Sequence, residues 1–496
     1  MKRQQNSTYA SGGINYAMIA RILGQLMMVE AAFMLLPLLT CLFSNERDWQ
    51  AFAITIGVTV AAGAALNFLI RPQSKKLHRR DGLLLASVAW IVFSLFGMLP
   101  MMLCATPLNA SEGFFEAMSG FTTTGATVIR DVESCSHGIL LWRALTQWVG
   151  GLGIIIFTLT FIPALNNSGS IIMFHAEATG ITHDKLGARI SRTAKILWTL
   201  YTIITLVLIV MLWLGPMNLF ESICQSFTAI STGGFSTRND SIAAFNSPYI
   251  KLVLTFFMFL GGISFSLILA SLKKRGRGFW KNDVFRAYVF IIVALYACVV
   301  VAIVAKGHYT GWQSVTVDPI FHIVSAITST GYSAGDWEGW GLFVLTLTFL
   351  MMCIGACAGS TTGGLKVDRV LYLFKNFTLV VRRYIRPRLM RSISINDQII
   401  DNERGSEISA FIAIFFLLIV VGGLVLVAQG FPIVDAFFSS FSCVSNNGLG
   451  AGVTGITGSY DFISPSGMWV MSFLMLAGRL EIITIIALFV PSFWRR

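Results

Sequence analysis

The chain has 496 residues, of which 55% are hydrophobic and only 12% charged, with a formal net charge of +12. Soluble globular proteins carry about twice this share of charged residues, so the composition excludes an ordinary water-soluble domain. Apolar runs of about 20 residues recur along the chain, long enough to cross a hydrocarbon core of about 30 Å, and we predict an all-α polytopic membrane protein.

Two apolar segments, at about 20–43 and 50–70, lead the chain and are followed by four similar units. Each unit has a spanning segment, a shorter apolar stretch, a polar turn that contains glycine, and a second spanning segment. Apolar stretches too short to span are typical of re-entrant helices. We therefore predict about ten spanning helices, two leading and two per unit, and four re-entrant pore helices in pseudo-fourfold order around one central pore.

The predicted organisation follows these units. The regions are 1–82 for the leading helix pair and a basic loop, 83–194 for pore repeat 1, 195–283 for repeat 2, 284–405 for repeat 3, and 406–496 for repeat 4. The predicted starts of the short helices are Asn109 or Ser111, Asn218, Asp318 followed by Pro319, and Pro432, residue types that favour helix N-termini.

Basic residues concentrate in the loops 71–80, 273–281 and 375–391 and at the C-terminus. This is the positive-inside pattern, which predicts that these loops and both termini are cytoplasmic. The same pattern makes nucleic-acid binding a poor explanation of the net charge. We expect no removable signal peptide in residues 1–23, and no transition-metal site, since the cysteines and histidines do not cluster.

The four polar turns align on Gly125, Gly233, Gly331 and Gly448. Backbone that is not helical at membrane depth must line protein or water. Four such turns around an axis could form rings of carbonyl and hydroxyl oxygens that replace the water shell of a monovalent cation. The alternative for any single turn is an ordinary polar connection between helices. Each turn is followed by an acidic residue: Asp131, Asp240, Asp336 and Asp461. These aspartates either form a ring at the pore mouth that attracts cations or are ordinary solvated loop residues.

Two further features interrupt the apolar spans. The string GACAGSTTGG, 355–364, is too rich in glycine to favour a regular helix, and it indicates either an intramembrane loop or close helix packing. Its spacing to Lys366 does not match a nucleotide-binding P-loop. Arg479 lies in the middle of the last span, where an arginine is costly and faces a cavity, helix carbonyls or a partner such as Glu481.

The chain resembles the Trk/Ktr/HKT superfamily of potassium transporters over nearly its whole length, and specifically the TrkH-type pore subunits. Besides the four turns, the motifs that carry the resemblance are QWVGGLGIII at 147–156, GACAGSTTGGLKVDR at 355–369 and AGRLEIITIIALFVPSFWR at 477–495. The leading segments are similar to the extra helix pair of the TrkH branch.

The resemblance implies a K⁺ selectivity filter that admits K⁺ and Rb⁺, with K⁺ as the bound and transported ion. The implied filter residues are Thr123, Thr124, Gly125, Ser231, Thr232, Gly233, Ser329, Thr330, Gly331, Asn446, Asn447 and Gly448. The amides of the fourth turn depart from the hydroxyl pattern of the other three, so we expect different coordination there.

The resemblance also implies an intramembrane gate loop at 355–365 and an electrostatic barrier to cations at Arg479. The implied gate-loop residues are Gly355, Ala356, Cys357, Ala358, Gly359, Ser360, Thr361, Thr362, Gly363 and Gly364. The implied partners are a second copy of the chain in a homodimer, the lipid bilayer and a peripheral cytoplasmic TrkA-type subunit with nucleotide-binding domains. The basic loops either receive that subunit or lie against anionic lipid. No cofactor is expected in this chain.

Potassium uptake through a gated pore is the function these features favour, driven by a membrane potential that supplies about 2.3 kcal/mol per charge per 100 mV. The alternative is symport of K⁺ with H⁺ or Na⁺, which calls for a carboxylate deep in the membrane. The candidates are Glu30, Glu116, Glu221 and Glu481. Motifs of an intramembrane hydrolase are missing from the sequence, and we expect no enzymatic activity.

Overall fold

The computed structural model describes residues 14–72, 77–153, 190–273, 278–307, 311–389, 392–396, 398–455 and 458–495. In this part of the chain almost all regular structure is helical. The helices are α1 Tyr16–Phe43, α2 Trp49–Leu69, α3 Arg79–Gly97, α4 Leu99–Leu103, α5 Ala110–Phe121, α6 His137–Gly151, α7 Ile190–Trp213, α8 Leu219–Ile230, α9 Pro248–Gly261, α10 Phe265–Lys273, α11 Asp283–Lys306, α12 Trp312–Ile327, α13 Leu342–Ile354, α14 Val367–Ile385, α15 Asn402–Ala428, α16 Ile433–Ser445, α17 Pro465–Arg479, α18 Ile483–Phe489 and α19 Pro491–Trp494.

Within the described residues, six segments are helical, long and apolar enough to cross a membrane. They are the two leading helices and the first helix of each of the four units. The segments are Tyr16–Phe43, Trp49–Leu69, Arg80–Leu103, Ala194–Trp213, Asp283–Lys306 and Asn402–Ala428. The predicted all-α membrane-spanning fold with two leading helices and four repeats is confirmed.

The second helix of a unit differs from the prediction of one continuous span. Helices α9 and α10 form a pair bent by 95°, and α17 and α18 form a pair bent by 118°. Helix α13 ends at Ile354, and the chain continues in a loop until α14 begins at Val367. Counting each bent pair as one span gives up to eight spans in the described part instead of the predicted ten. The expected continuation of α6 to residue 164 lies outside the described residues.

Two of these three breaks coincide with left-handed backbone. Gly355 has φ +68° and Glu481 has φ +51°, directly after α13 and close after α17. A right-handed helix cannot continue through such a residue. In the sequence, the glycine at 355 indicates a possible helix break, but no residue type indicates a break at Glu481.

Three of the four pore helices, α5, α8 and α16, begin where predicted. The side chain of Asn109 accepts a hydrogen bond from the Glu112 N–H at 3.0 Å, and the side chain of Asn218 accepts one from the Glu221 N–H at 2.7 Å. These bonds satisfy backbone donors that the first helical turn leaves unpaired. Pro432 precedes α16 as its N-cap.

The predicted start of the third pore helix at Asp318 and Pro319 is wrong. Helix α12 begins at Trp312 and contains Pro319 in its interior. A proline there removes one backbone hydrogen bond to residue 315, but this end of the helix is partly exposed, so solvent can satisfy the carbonyl. The Asp318 carboxylate does not cap the helix but accepts a 2.7 Å hydrogen bond from Nζ of Lys251 on α9.

A small hairpin that was not predicted lies between α14 and α15. Strands β1 Ile393–Ile395 and β2 Gln398–Ile400 pair antiparallel. The Asn396 side chain accepts a 2.7 Å hydrogen bond from the Asp283 N–H at the start of α11. The hairpin therefore joins the end of repeat 3 to its beginning.

Candidate ion pore

The four polar turns form a closed ring. Each turn ends in a glycine with left-handed backbone, at φ +83° for Gly125, +79° for Gly234, +79° for Gly331 and +76° for Gly448. A methyl group on any of these glycines would collide with a backbone carbonyl oxygen of the next turn. The colliding pairs are Gly125 with Gly233, Gly234 with Thr330, Gly331 with Asn447, and Gly448 with Thr124. The turns thus follow one another in chain order, and the fourth meets the first.

In the structure, the second turn matches the other three turns through Gly234, one residue later than the predicted Gly233. We call the four left-handed glycines, Gly125, Gly234, Gly331 and Gly448, the ring glycines. The residue before each of them donates its backbone N–H to a pore-helix carbonyl five positions earlier: Thr124 to Ser119 at 2.8 Å, Gly233 to Thr228 at 2.8 Å, Thr330 to Ser325 at 2.9 Å and Asn447 to Ser442 at 3.0 Å. Gly233 therefore corresponds to Thr124, and Gly234 is the counterpart of Gly125.

The wrong alignment arose because the second turn has two consecutive glycines and the first of them was chosen. The helix N-caps carry a better signal. Gly125 follows Asn109 by sixteen residues, and Gly234 follows Asn218 by the same distance. Within the correct alignment, the left-handed residues that precede the glycines by two positions also match: Thr123, Thr232, Ser329 and Asn446.

Side chains of the fourth turn bind to neighbouring repeats. Nδ2 of Asn446 donates to Oγ1 of Thr124 at 3.0 Å, and Nδ2 of Asn447 donates to the Ala326 carbonyl at 2.7 Å. In the first turn, by contrast, the Thr122 and Thr124 hydroxyls lie 2.8 Å apart and bond within the turn. The fourth turn thus differs from the others in its hydrogen bonding, and its amides link the ring across repeats.

A cavity of about 100 Å³ lies on one side of the ring and is lined by all four ring glycines. This volume can hold several water molecules. The charged side chains that line it are Arg130, Arg143 and Arg238, and none of the four loop aspartates is among the described lining residues. All three arginines are paired: Arg130 with Asp461, Arg143 with Glu116 and Arg238 with Glu221. The aspartates therefore do not form a bare acidic ring against this cavity.

The 355–364 stretch is a loop and not a closely packed helix, the two alternatives that its glycine content had left open. It packs against the other side of the ring. Its backbone turns at Gly355, Gly359 and Gly364, with φ of +68°, +75° and +76°. The Gly363 N–H donates to Oγ of Ser329 at 2.6 Å, and the Gly364 N–H donates to the Ser445 carbonyl at 3.0 Å. These bonds attach the loop to the third and fourth turns.

Thr361 in the middle of the loop attaches it to the second repeat. The Thr232 hydroxyl donates to Oγ1 of Thr361 at 3.1 Å, and that hydroxyl lies 3.2 Å from the Ile230 carbonyl at the end of α8. The loop thus contacts three of the four turns.

Arg479 contacts the remaining turn. Its Nη1 donates to Oγ1 of Thr123 at 3.2 Å and to the Thr361 carbonyl at 2.8 Å. Its Nη2 donates to the carbonyls of Gly150 and Gly151 at 2.5 and 2.9 Å, where α6 ends. The helix C-terminus carries partial negative charge that stabilises a cation. Arg479 and the 355–364 loop together therefore cover one side of the entire ring.

The carboxylates considered for ion coupling have different surroundings. Glu116, Glu221 and Glu481 pair with Arg143, Arg238 and Arg369 respectively. Glu30 on α1 is 1% exposed, and neither of its carboxylate oxygens has a hydrogen-bond partner among the described residues.

Sequence reasoning missed Arg143 and Gln147, which lie on α6 directly behind the ring. Arg143 could have been found by the argument that singled out Arg479, because it stands in an otherwise apolar helix. Gln147 begins the motif QWVGGLGIII at 147–156, but nothing in the sequence marked its side chain as a contact of the second turn. Nε2 of Gln147 donates to the Gly233 carbonyl at 2.7 Å.

The chain is similar to characterised proteins over almost its full length. The family profile of TrkH, a cation transport protein, matches residues 48–496. The Trk system potassium uptake protein TrkH of Escherichia coli strain K12 is 32% identical, over 97% of this chain and 100% of that protein. The protein of the same name from Halomonas elongata is 34% identical, over 97% of this chain and 99% of its own length.

The fold comparison agrees with the sequence comparison. The crystal structure of the potassium transporter TrkH from Vibrio parahaemolyticus matches with a TM-score of 0.87 at 31% identity, over 97% of this chain and 100% of that one. These names describe transport proteins, which confirms the prediction that the chain is not an enzyme. The family profile, the full-length relatives and the shared fold together show that the chain belongs to the TrkH family of cation transport proteins.

Proposed function

We propose that the chain takes up potassium through the pore at the centre of the four-turn ring. The observation that carries the proposal is the closed ring itself, in which each turn's glycine packs against a carbonyl of the next turn. Stacked backbone and hydroxyl oxygens can replace the hydration shell of K⁺. The relatives from Escherichia coli and Halomonas elongata, named as potassium uptake proteins, support the choice of ion.

The proposed filter consists of the twelve predicted residues with Gly234 added as the fourth ring glycine. The cavity lined by the ring glycines is the outer entrance in this proposal. Ions move inward down the membrane potential, which supplies about 2.3 kcal/mol per charge per 100 mV. The carbonyl ends of the four pore helices meet the ring, and their partial negative charge favours a cation there.

The proposed gate is the 355–364 loop together with Arg479. Both lie on the side of the ring opposite the cavity, and between them they contact all four turns. In this arrangement a cation leaving the filter meets a guanidinium and the loop backbone. Opening requires Arg479 to leave Thr123 and the loop to leave Ser329. The proposed closed state is therefore held by hydrogen bonds that can be tested one at a time.

Symport of K⁺ with H⁺ or Na⁺ is the second candidate, and Glu30 is the observation that favours it. A carboxyl group buried in a spanning helix without a hydrogen-bond partner is typical of groups that take up and release protons. The separating measurement is Rb⁺ uptake into liposomes at zero membrane potential with an imposed pH or Na⁺ gradient. Uptake that follows either gradient, and that Glu30→Gln abolishes, would favour symport.

The proposed setting is a bacterial inner membrane with both termini in the cytoplasm, because the basic loops then obey the positive-inside rule. We propose a homodimer that binds a peripheral TrkA-type subunit with nucleotide-binding domains. The "Trk system" in the relatives' names supports a multi-component system. The basic loop 375–391 is the surface we propose for this subunit or for anionic lipid.

The experiment that tests the pore is ⁸⁶Rb⁺ uptake into liposomes loaded with KCl and containing the purified chain, compared with ²²Na⁺ uptake. We expect wild type to take up Rb⁺ in preference to Na⁺ and Gly125→Ser to lose that preference, since a side chain there meets the Gly233 carbonyl. Gly57→Ser on α2 is the matched control, because no atom lies within 4 Å of a Cβ at that position. Equal behaviour of the two variants would exclude the ring as the filter.

A further inference from the structure

Glu116 and Arg143 form a buried ion pair behind the first turn. Nε of Arg143 lies 2.8 Å from Oε1 of Glu116, and the two side chains are 2% and 0% exposed. The Glu116 carboxylate also accepts hydrogen bonds from Oγ1 of Thr127 at 3.0 Å and from the Val128 N–H at 2.9 Å. The pair therefore fixes the segment that follows Gly125.

The same arginine reaches the second turn. Nη1 of Arg143 donates to the Ser236 carbonyl at 3.3 Å, and Nη2 donates to Oγ1 of Thr127 at 3.1 Å. Its Cζ lies 4.1 Å from the centre of the Phe235 ring, a cation–π contact. One guanidinium thus joins the segments that follow the first and the second ring glycines.

Gln147 follows Arg143 by one helical turn on the same face of α6. Its Nε2 donates to the Gly233 carbonyl at 2.7 Å, and its Oε1 accepts from the Phe235 N–H at 3.1 Å. The amide therefore bridges the two peptide groups on either side of Gly234. The Gly233 carbonyl that it holds is also the ring oxygen that packs against Gly125.

The second and fourth repeats have no such arrangement at the corresponding described positions. Gly150, Gly261 and Gly478 mark equivalent points of α6, α9 and α17, because each lies against the carbonyl four residues before the ring glycine of its own repeat. These carbonyls belong to Phe121, Ile230 and Val444. Counting back from these glycines, Gln147 corresponds to Met258 and Met475, and Arg143 corresponds to Leu254 and Met471. Counting back from the ring glycines, the residues equivalent to Glu116 are Gln225, His322 and Ser439.

We infer that Glu116, Arg143 and Gln147, which we name the α6 clamp, are positioning residues that set the K⁺ over Na⁺ selectivity of the ring. The inference rests on the proposed function, in which the ring is the filter. Na⁺ is smaller than K⁺ and is favoured when ring oxygens move inward or lose their fixed number and direction. The clamp holds the first and second turns at a fixed separation, so its loss permits that movement.

Gln147→Met is the first test, because methionine is the residue that two other repeats place there. We expect Rb⁺ uptake into liposomes to be retained while Na⁺ uptake rises, so that the Rb⁺/Na⁺ ratio falls by about tenfold, the effect of a change of about 1.4 kcal/mol in relative barrier height. His322→Gln is the matched control. The hydrogen bond of its Nε2 is to Thr348 on α13 and not to a turn of the ring, so the ratio should stay at the wild-type value.

Arg143→Lys and Glu116→Gln test the ion pair separately from folding. Lysine keeps the charge beside Glu116 but cannot bind Thr127 and Ser236 at once, because it lacks the fork of the guanidinium. We expect Arg143→Lys to lower the ratio less than Glu116→Gln does. Purified protein that elutes as a single species establishes that a variant is folded.

The outcomes separate the inference from the proposed function. If wild type shows no preference for Rb⁺, the proposed filter is wrong whatever the variants do. If wild type prefers Rb⁺ and both Gln147→Met and Arg143→Lys keep its ratio, the filter stands and the clamp inference is overturned. The inference is also overturned if the variants lower Rb⁺ and Na⁺ uptake by the same factor, or if His322→Gln lowers the ratio as much as Gln147→Met.

Discussion

Arg479 and Thr123 lie in the last and the first repeat, yet Nη1 of the arginine donates a hydrogen bond to Oγ1 of the threonine at 3.2 Å. The same nitrogen bonds to the Thr361 carbonyl of the 355–364 loop at 2.8 Å. One guanidinium group therefore connects the first turn of the ring to the loop beneath it. This connection makes Arg479 part of both the proposed barrier and the support of the proposed closed state.

Replacing Arg479 by alanine should increase Rb⁺ uptake into liposomes. A unit charge about 8 Å from an ion contributes about 2 kcal/mol at an effective dielectric constant of about 20. Removing a repulsion of this size raises the rate by more than about tenfold. Arg479→Lys keeps the charge but cannot reach all four partner oxygens, so its uptake should lie between wild type and alanine. Uptake equal to wild type in both variants would exclude a barrier at this position.

The Ser329 hydroxyl holds the loop to the third turn, and its loss should favour opening. Ser329→Ala leaves the Gly363 N–H without the 2.6 Å bond seen here. A hydrogen bond contributes about 0.5–1.5 kcal/mol net, which predicts a two- to tenfold shift of the closed–open equilibrium, or roughly that increase in Rb⁺ uptake. Ser329→Thr keeps the hydroxyl and is compatible with the left-handed backbone, since Thr123 and Thr232 already adopt it. The threonine variant should take up Rb⁺ at the wild-type rate. An increase in Rb⁺ uptake in both variants would show that this hydrogen bond does not hold the loop against the ring.

The architecture could be predicted from the sequence because its signals are local. Runs of apolar residues gave the leading helices and the first helix of each repeat, and Asn109 and Asn218 gave the starts of two pore helices through their capping bonds. For 355–364 the glycines limited the alternatives to a loop or close helix packing, and the family resemblance favoured the loop. In each case the residue type itself limits the backbone that it can adopt.

The features that could not be predicted from the sequence depend on contacts between distant parts of the chain. Pro319 looked like a helix start, but α12 begins seven residues earlier, at Trp312. Glu481 adopts left-handed backbone with φ +51°, and its carboxylate bonds to Arg369 at 2.5 Å, a tertiary contact that no local pattern marks. The contacts of Arg143 and Gln147 with the second turn also depend on how the repeats meet around the ring.

The side chain of Asn218 should stabilise the second pore helix. It accepts a 2.7 Å hydrogen bond from the Glu221 N–H. Losing an N-cap costs about 1 kcal/mol, so Asn218→Ala should lower the midpoint of thermal unfolding in detergent. Asn218→Asp keeps an acceptor at the same place and should unfold at the wild-type temperature. Equal losses in the two variants would mean that the cap does not stabilise the helix.

Gly233 and Gly234 should differ sharply in their tolerance of alanine, although they are neighbours. Gly234 has φ +79°, where an L-residue costs about 1–2 kcal/mol, and its added Cβ would meet the backbone carbonyl of Thr330 in the next turn. The three atoms nearest to an added Cβ at Gly233 all belong to the side chain of Gln147, which can change its rotamer. We therefore expect Gly234→Ala to lose the preference for Rb⁺ over Na⁺, as Gly125→Ser should, whereas Gly233→Ala keeps a preference that is only weakened. Uptake in liposomes measures both, and the reverse order would restore Gly233 as the counterpart of Gly125.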